Sequence, residues 1–182
     1  MKIYTEKDCL KVGTLEEWKG KILVVKPEAV PKDTNGQLFL CMMEQEDYMQ
    51  NRTQVPLIAL SDHSYHLAEE KNIVGILKPE ALSDEERLQL AQIPTGKKPD
   101  FNRNNPEFSG YCYLRNGRYN VGVWLRDADA VQQYIEVQKP YQHKIQICDR
   151  DDFTVLKIVE GELIYPTKQM IESGKMDPII SM

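Results

Sequence analysis

The chain has 182 residues, with 23 Lys and Arg against 28 Asp and Glu, a net charge of −5. Hydrophobic residues make up 41% and charged residues 28%, an ordinary globular balance that excludes wholesale disorder. The charge has the wrong sign for non-specific coating of DNA and is too mild for a DNA mimic, and no apolar run approaches the roughly 20 residues that span a bilayer.

In chain order, Met1 to Asp8 carries a lysine with no apolar segment after it, so the reading is a cytoplasmic protein with no membrane partner. Thr14-Leu15-Glu16-Glu17 has capping-box spacing and predicts a helix of about one turn, ended by Gly20. Ile22–Val25 predicts a strand stopped by Pro27, and Pro31 to Gly36 is turn material. A strand is expected over Gln37–Met43, then an acidic stretch, Glu44–Asp47, then an apolar run, Val55–Leu60. Asp62 is placed to cap a helix over Ser64–Lys71. Ile73–Leu77 is a buried strand candidate, and Ser83-Asp84-Glu85-Glu86 is a second capping box, opening a helix that Pro94 ends.

Ile22–Val30 and Val74–Leu82 echo each other as strand, then Lys-Pro-Glu-Ala, then an aliphatic residue. Nine positions are too few to establish a repeat, and the simpler reading is two strands leaving a sheet through similar proline turns.

Residues 94–110 hold no apolar periodicity and read as a functional loop or a linker. They divide an N-terminal α+β part, 1–93, from a C-terminal part, 111–182, unless the two form one continuous domain. Asn116-Gly117 between Tyr111–Arg115 and Arg118–Leu125 predicts a hairpin with a type I′ turn, pairing Arg115 with Arg118. One face would carry Cys112, Leu114, Tyr119, Val121, Val123 and Leu125, the other Tyr111, Tyr113, Gly122 and Trp124. Asp127 caps a helix terminated by Pro140. Lys144–Cys148, Phe153–Val159 and Glu162–Tyr165 follow as strands, and Thr167 opens a last helix that Gly174 closes. The order ββαβββα lacks regular alternation, so the fold class is α+β, an antiparallel or mixed sheet with helices packed on one side.

The strongest functional signal is compositional. Residues 97–126 carry six basic residues against two acidic ones, and six of the fifteen aromatics. Flat rings that stack on bases and cations that meet phosphate are what single-stranded nucleic acid and nucleotides require. Arg103, Tyr111, Tyr113, Arg115, Arg118 and Trp124 are the candidate binding residues, and Gly122 would let a flat group approach the backbone. The alternative is that this face packs under a helix and the arginines solvate the turn.

Other constellations are thinner. His63 and His66 with Asp62 offer the beginnings of a metal site without a further motif partner, so a solvated helix start is expected. Asp149, Asp151 and Glu160 match three EF-hand positions, but Thr154 stands where glycine is needed, which reads as a hairpin turn. Cys112, His143, Cys148 and Asp149 contain the residue types of a thiol enzyme. The scattered Cys9, Cys41, Cys112 and Cys148 read as reduced thiols, and three of them lie in apolar or strand-like runs, where thiols are usually buried and inert. No cofactor signature occurs: there is no P-loop, no G-x-G-x-x-G and no G-x-S-x-G.

The stretch Tyr134–Phe153 resembles the C-terminal segment of uncharacterised small proteins carried on bacterial mobile elements. The resemblance covers about a fifth of the chain and implies a bacterial accessory protein, with no catalytic residue to carry over. The resulting expectation is a non-enzymatic binding or accessory protein that engages single-stranded nucleic acid, nucleotide or another protein. The alternatives are a small hydrolase or transferase with a Cys/His site and a purely structural interaction protein.

Overall fold

The computed structural model describes residues 2–42, 54–103, 105–177 and 179–180. The chain divides into two units, 2–86 and 87–180, and the division falls inside one helix. The fold is α+β, and both sheets are wholly antiparallel. No helix among the described residues is long and apolar enough to cross a membrane.

The first unit is a six-stranded sheet. Its strands are β1 (Cys9–Lys11), β2 (Ile22–Val25), β3 (Leu38–Cys41), β4 (Gln54–Ala59), β5 (Tyr65–Glu69) and β6 (Ile73–Leu77), in the order β1-β6-β2-β3-β4-β5. The uninterrupted apolar runs of β2 and β3 are buried at every position, as a two-sided strand requires. The short helix α1 (Leu15–Trp18) opens on the Thr14/Glu17 capping box. It sets Trp18 against Leu23, Val25, Phe39 and Ile76.

The echo between the two Lys-Pro-Glu-Ala stretches has a structural counterpart. β2 and β6 are adjacent, and each runs into a single 3-10 turn, Pro27–Ala29 and Pro79–Ala81. Leu23 pairs with Ile76, and Val24 with Gly75. Exchanging the two stretches maps the first pair onto the second, so a local two-fold relates them.

Ser64–Lys71 is not a helix. It forms the edge strand β5 and a 3-10 turn, Glu70–Asn72. Asp62 caps a tight turn instead: its Oδ1 accepts from Ser64 N at 2.9 Å while His63 sits at φ +60°. The helix-favouring Leu-Ala-Glu-Glu-Lys run is overridden because the buried β4 needs a hydrogen-bonded neighbour along its outer edge, which β5 supplies from Gln54↔Glu69 to Ile58↔Tyr65. The strand expected over Gln37–Met43 is confined to Leu38–Cys41, and Met43 and the acidic stretch Glu44–Asp47 lie outside the described residues.

Helix α2 (Asp84–Ala91) follows the Ser83/Glu86 box, whose two reciprocal bonds are present. In the second unit come β7 (Phe108–Tyr113), β8 (Val123–Leu125), helix α3 (Ala128–Gln138), β9 (Lys144–Asp149), β10 (Thr154–Val159), β11 (Glu162–Tyr165) and helix α4 (Lys168–Glu172), with sheet order β11-β10-β9-β7-β8. α3 packs on one face. Ala130, Val131, Tyr134 and Ile135 meet Cys112, Val123, Leu125, Ile145, Ile147, Leu156 and Ile158. Asp127 caps α3 through Oδ1, which accepts from Ala130 N at 2.9 Å. Asp127→Ala is expected to lower stability by about 1 kcal/mol in urea unfolding; an unchanged midpoint would remove the cap from the list of stabilising contacts.

Candidate functional site

The hairpin that organises the site differs from its sequence reading in one decisive way. Gly117 is left-handed at φ +86°, but Asn116 is not. Gly117 N donates to Leu114 O at 3.0 Å and Leu114 N to Arg118 O at 2.8 Å. This is a three-residue loop with glycine at the bulge position, not a type I′ turn. Asn116 serves through its side chain, whose Oδ1 accepts from Arg118 N at 3.0 Å. Near the turn Tyr113 pairs with Tyr119, whereas further down Gly110 pairs with Val123. The register therefore slips by one between the two, and a slip of one turns side chains to the opposite face.

The slip relocates two residues expected in the core. Tyr119 and Val121 are 58% and 78% exposed, and Asn120 takes the inward place at 2%. Cys112, Leu114, Val123 and Leu125 keep the core positions expected of them.

Asn120 is the residue whose role sequence reasoning missed. Its Oδ1 accepts from Cys112 N at 2.7 Å, and its Nδ2 donates to Val121 O at 2.7 Å and Ala91 O at 3.3 Å. The side chain thus stands in for ladder bonds that the irregular strand cannot make. An asparagine three residues after Asn-Gly, between tyrosine and valine, was the available signal.

Tyr119 joins Tyr111 and Tyr113 on the face opposite α3. Its ring lies 4.9 Å from that of Tyr113, tilted by 31°, and 6.5 Å from that of Tyr111, edge-on. Lys144 Nζ stands 4.1 Å over the Tyr113 ring, a cation–π contact across the β7–β9 pair. Burial, then the neighbouring Tyr119, raises the Tyr113 phenol above its ordinary pKa, so the ring is neutral at physiological pH. Trp124, on β8, is 56% exposed and meets Phe101 edge-on at 6.5 Å.

Gly122 does not offer an open approach. A Cβ there would come within 2.6 Å of the Tyr111 ring, so that ring already rests on the bare backbone. The glycine admits the protein's own tyrosine and sets how far it leans toward β8.

The arginines are distributed less tightly than the rings. Arg115 Nη2 reaches Glu160 Oε1 at 2.6 Å, and the same oxygen meets His143 Nδ1 at 2.6 Å. Arg103 pairs with Asp100 at 3.1 Å on an exposed 3-10 turn. Arg118 is exposed beside the hairpin turn. Two cations outside the 97–126 segment share the tyrosine face: Lys144 on β9, and Lys157 on β10, which pairs with Gln146. Among the described residues neither has a carboxylate partner.

The remaining constellations resolve locally. Cys112 is fully buried on the α3 side, 3.3 Å from Tyr134 Oη, and burial pushes its thiol pKa up to about 12. That is the reverse of nucleophile activation. Cys148 lies on the opposite face and five residues along β9 from His143, about 16 Å at strand rise. Asp149 Oδ1 accepts from Asp151 N and Phe153 N, closing a tight hairpin. His63 and His66 do not share a helix face, since β5 is a strand. Among the described residues no group of His, Cys, Asp and Glu is arranged to hold a metal ion.

Compared with known proteins, the chain matches no family model, no curated protein and no solved structure.

Proposed function

We propose that this chain is a non-enzymatic binding protein that takes up single-stranded nucleic acid on the tyrosine face of its second sheet. The observation that carries the reading is the grouping of Tyr113, Tyr119 and Lys144, with rings 4.9 Å apart and an ammonium 4.1 Å over one of them. Rings supply sequence-tolerant stacking, and Lys144 and Lys157, which have no carboxylate partner among the described residues, attract phosphate. The sheet face is antiparallel, lies opposite its helix, and carries its aromatics on the strand next to the edge. The resemblance of Tyr134–Phe153 to mobile-element proteins adds a setting, a bacterial accessory protein, but no activity. A thiol enzyme is disfavoured by the protonated, core-facing Cys112.

The test is fluorescence anisotropy of a labelled ten-nucleotide single strand, DNA and RNA in turn, across a salt series. Binding should weaken with salt by about 0.7 in log K per log unit for each phosphate contacted. Tyr119→Ala should weaken it roughly 5- to 150-fold, the range for one lost stacking partner. Tyr119 is exposed, so the substitution leaves the core intact. Absence of salt-sensitive binding by the wild type would overturn the reading and leave a protein partner for this face.

A further inference from the structure

The sheet register places the face opposite α3 in three rows that cross the strands. In the first, Tyr119 pairs with Tyr113, Tyr113 with Lys144, and Lys144 with Val159. In the second, Tyr111 pairs with Gln146, and Gln146 with Lys157. In the third, Trp124 pairs with Ser109, Ser109 with Cys148, and Cys148 with Thr154. Each row begins with an aromatic residue on the β7–β8 side and continues into polar or small residues on β9 and β10. Successive rows are two residues apart along β7, about 7 Å.

Gln146 occupies the middle of the middle row, half-buried. Its amide nitrogen donates to Thr154 Oγ1 at 3.0 Å and to Cys148 Sγ at 3.7 Å. In this arrangement the carbonyl oxygen is the end that points away. The carbonyl oxygen takes no hydrogen bond from any described residue, so an oriented acceptor is left between Tyr111 and Lys157. An amide held by its nitrogen offers its oxygen to one class of partner, a donor such as the exocyclic amino group of a base.

We infer that the face reads three consecutive nucleotides, one per row, with Gln146 as the residue that selects the central base. The rings of Tyr119, Tyr111 and Trp124 stack the three bases, Lys144 and Lys157 meet the connecting phosphates, and Gln146 Oε1 accepts from the amino group of adenine, cytosine or guanine. This rests on the nucleic-acid reading above and goes beyond it in footprint, in base choice, and in drawing Lys144, Gln146 and Lys157 from outside the basic aromatic segment. Single strands suit the arrangement because their bases can be splayed onto separate platforms, which a duplex does not allow.

The experiment is a competition series against a labelled octamer, using unlabelled single strands of one to six nucleotides and the full chain. Wild-type affinity should climb about fivefold or more with each added nucleotide up to three, and beyond three only by the number of registers a longer strand offers. Among trimers, those with an amino-bearing central base should bind more tightly than those with central thymine or uracil. Gln146→Leu, which keeps the volume, should bring that ratio close to one while retaining affinity for thymine trimers. Lys157→Met should reduce the salt slope by about 0.7. If no strand competes, the nucleic-acid reading and this inference fall together. If strands compete and Tyr119→Ala weakens them, the footprint alone is overturned by either of two results: affinity that keeps climbing past three nucleotides, or a central-base preference that Gln146→Leu leaves unchanged. The wild-type length series does not depend on how any variant folds.

Discussion

Tyr134→Ala is expected to lower the stability of the second unit by about 3–5 kcal/mol, the range for deleting a large buried aromatic side chain. Tyr134 is fully buried at the centre of α3. Its ring covers Gly110 so closely that a Cβ there would lie 2.7 Å from the ring edge. Its hydroxyl donates to Ala91 O at 2.6 Å. Truncation therefore leaves a cavity against a glycine that cannot fill it, and removes one partner of a buried carbonyl. Tyr134→Phe keeps the ring and should cost only about 1–2 kcal/mol, the cost of the lost hydrogen bond. Urea unfolding followed by circular dichroism measures both. A loss below about 1 kcal/mol for the alanine variant would show that α3 is held mainly by its other buried residues.

Asn120→Ala is expected to cost about 2–4 kcal/mol, because it strands the Cys112 amide and the Val121 carbonyl without their side-chain partner. An unsatisfied buried donor costs more than the net value of the bond that satisfied it. Asn120→Asp separates the roles: it keeps an acceptor for Cys112 N but offers no donor to Val121 O or Ala91 O, and it buries a charge. It should be at least as damaging as alanine. Amide hydrogen exchange gives the local readout, with Cys112 N–H losing protection in both variants. Retained protection at Cys112 with an unchanged urea midpoint would mean that the hairpin closes its own ladder.

The second prediction falls on a residue whose importance arises from the slip between Tyr113↔Tyr119 and Gly110↔Val123. The hairpin itself was legible, because Asn-Gly between two alternating runs has few other uses. The turn type was not. Type I′ and a glycine bulge call on the same dipeptide, and they differ only in whether Asn116 is left-handed. That choice moved Tyr119 from the core to the tyrosine face and Asn120 into its place. Tyr111 and Tyr113 were identified from their strand parity, which the slip does not touch. Lys144, Gln146 and Lys157 were not, because they join the face from β9 and β10 through pairing and lie far from the basic aromatic segment in sequence.

What the sequence by itself determined is local. The four capping signals at Thr14, Ser83, Asp127 and Thr167, the breaks at Gly20 and Pro94, the fully apolar strands Ile22–Val25 and Ile73–Leu77, and the ββαβββα order of the second unit all follow from neighbours a few residues apart. The tertiary structure decided β5, where the need of β4 for a hydrogen-bonded neighbour outweighed a helix-favouring composition. It also decided the closeness of β2 to β6, which turns a nine-residue echo into a two-fold, and the register that assembles the tyrosine face. The physical reason is common to all three. Caps and turns are satisfied by nearby groups, whereas a strand's place and facing are set by its partner, and the partner's position appears only when the chain is folded.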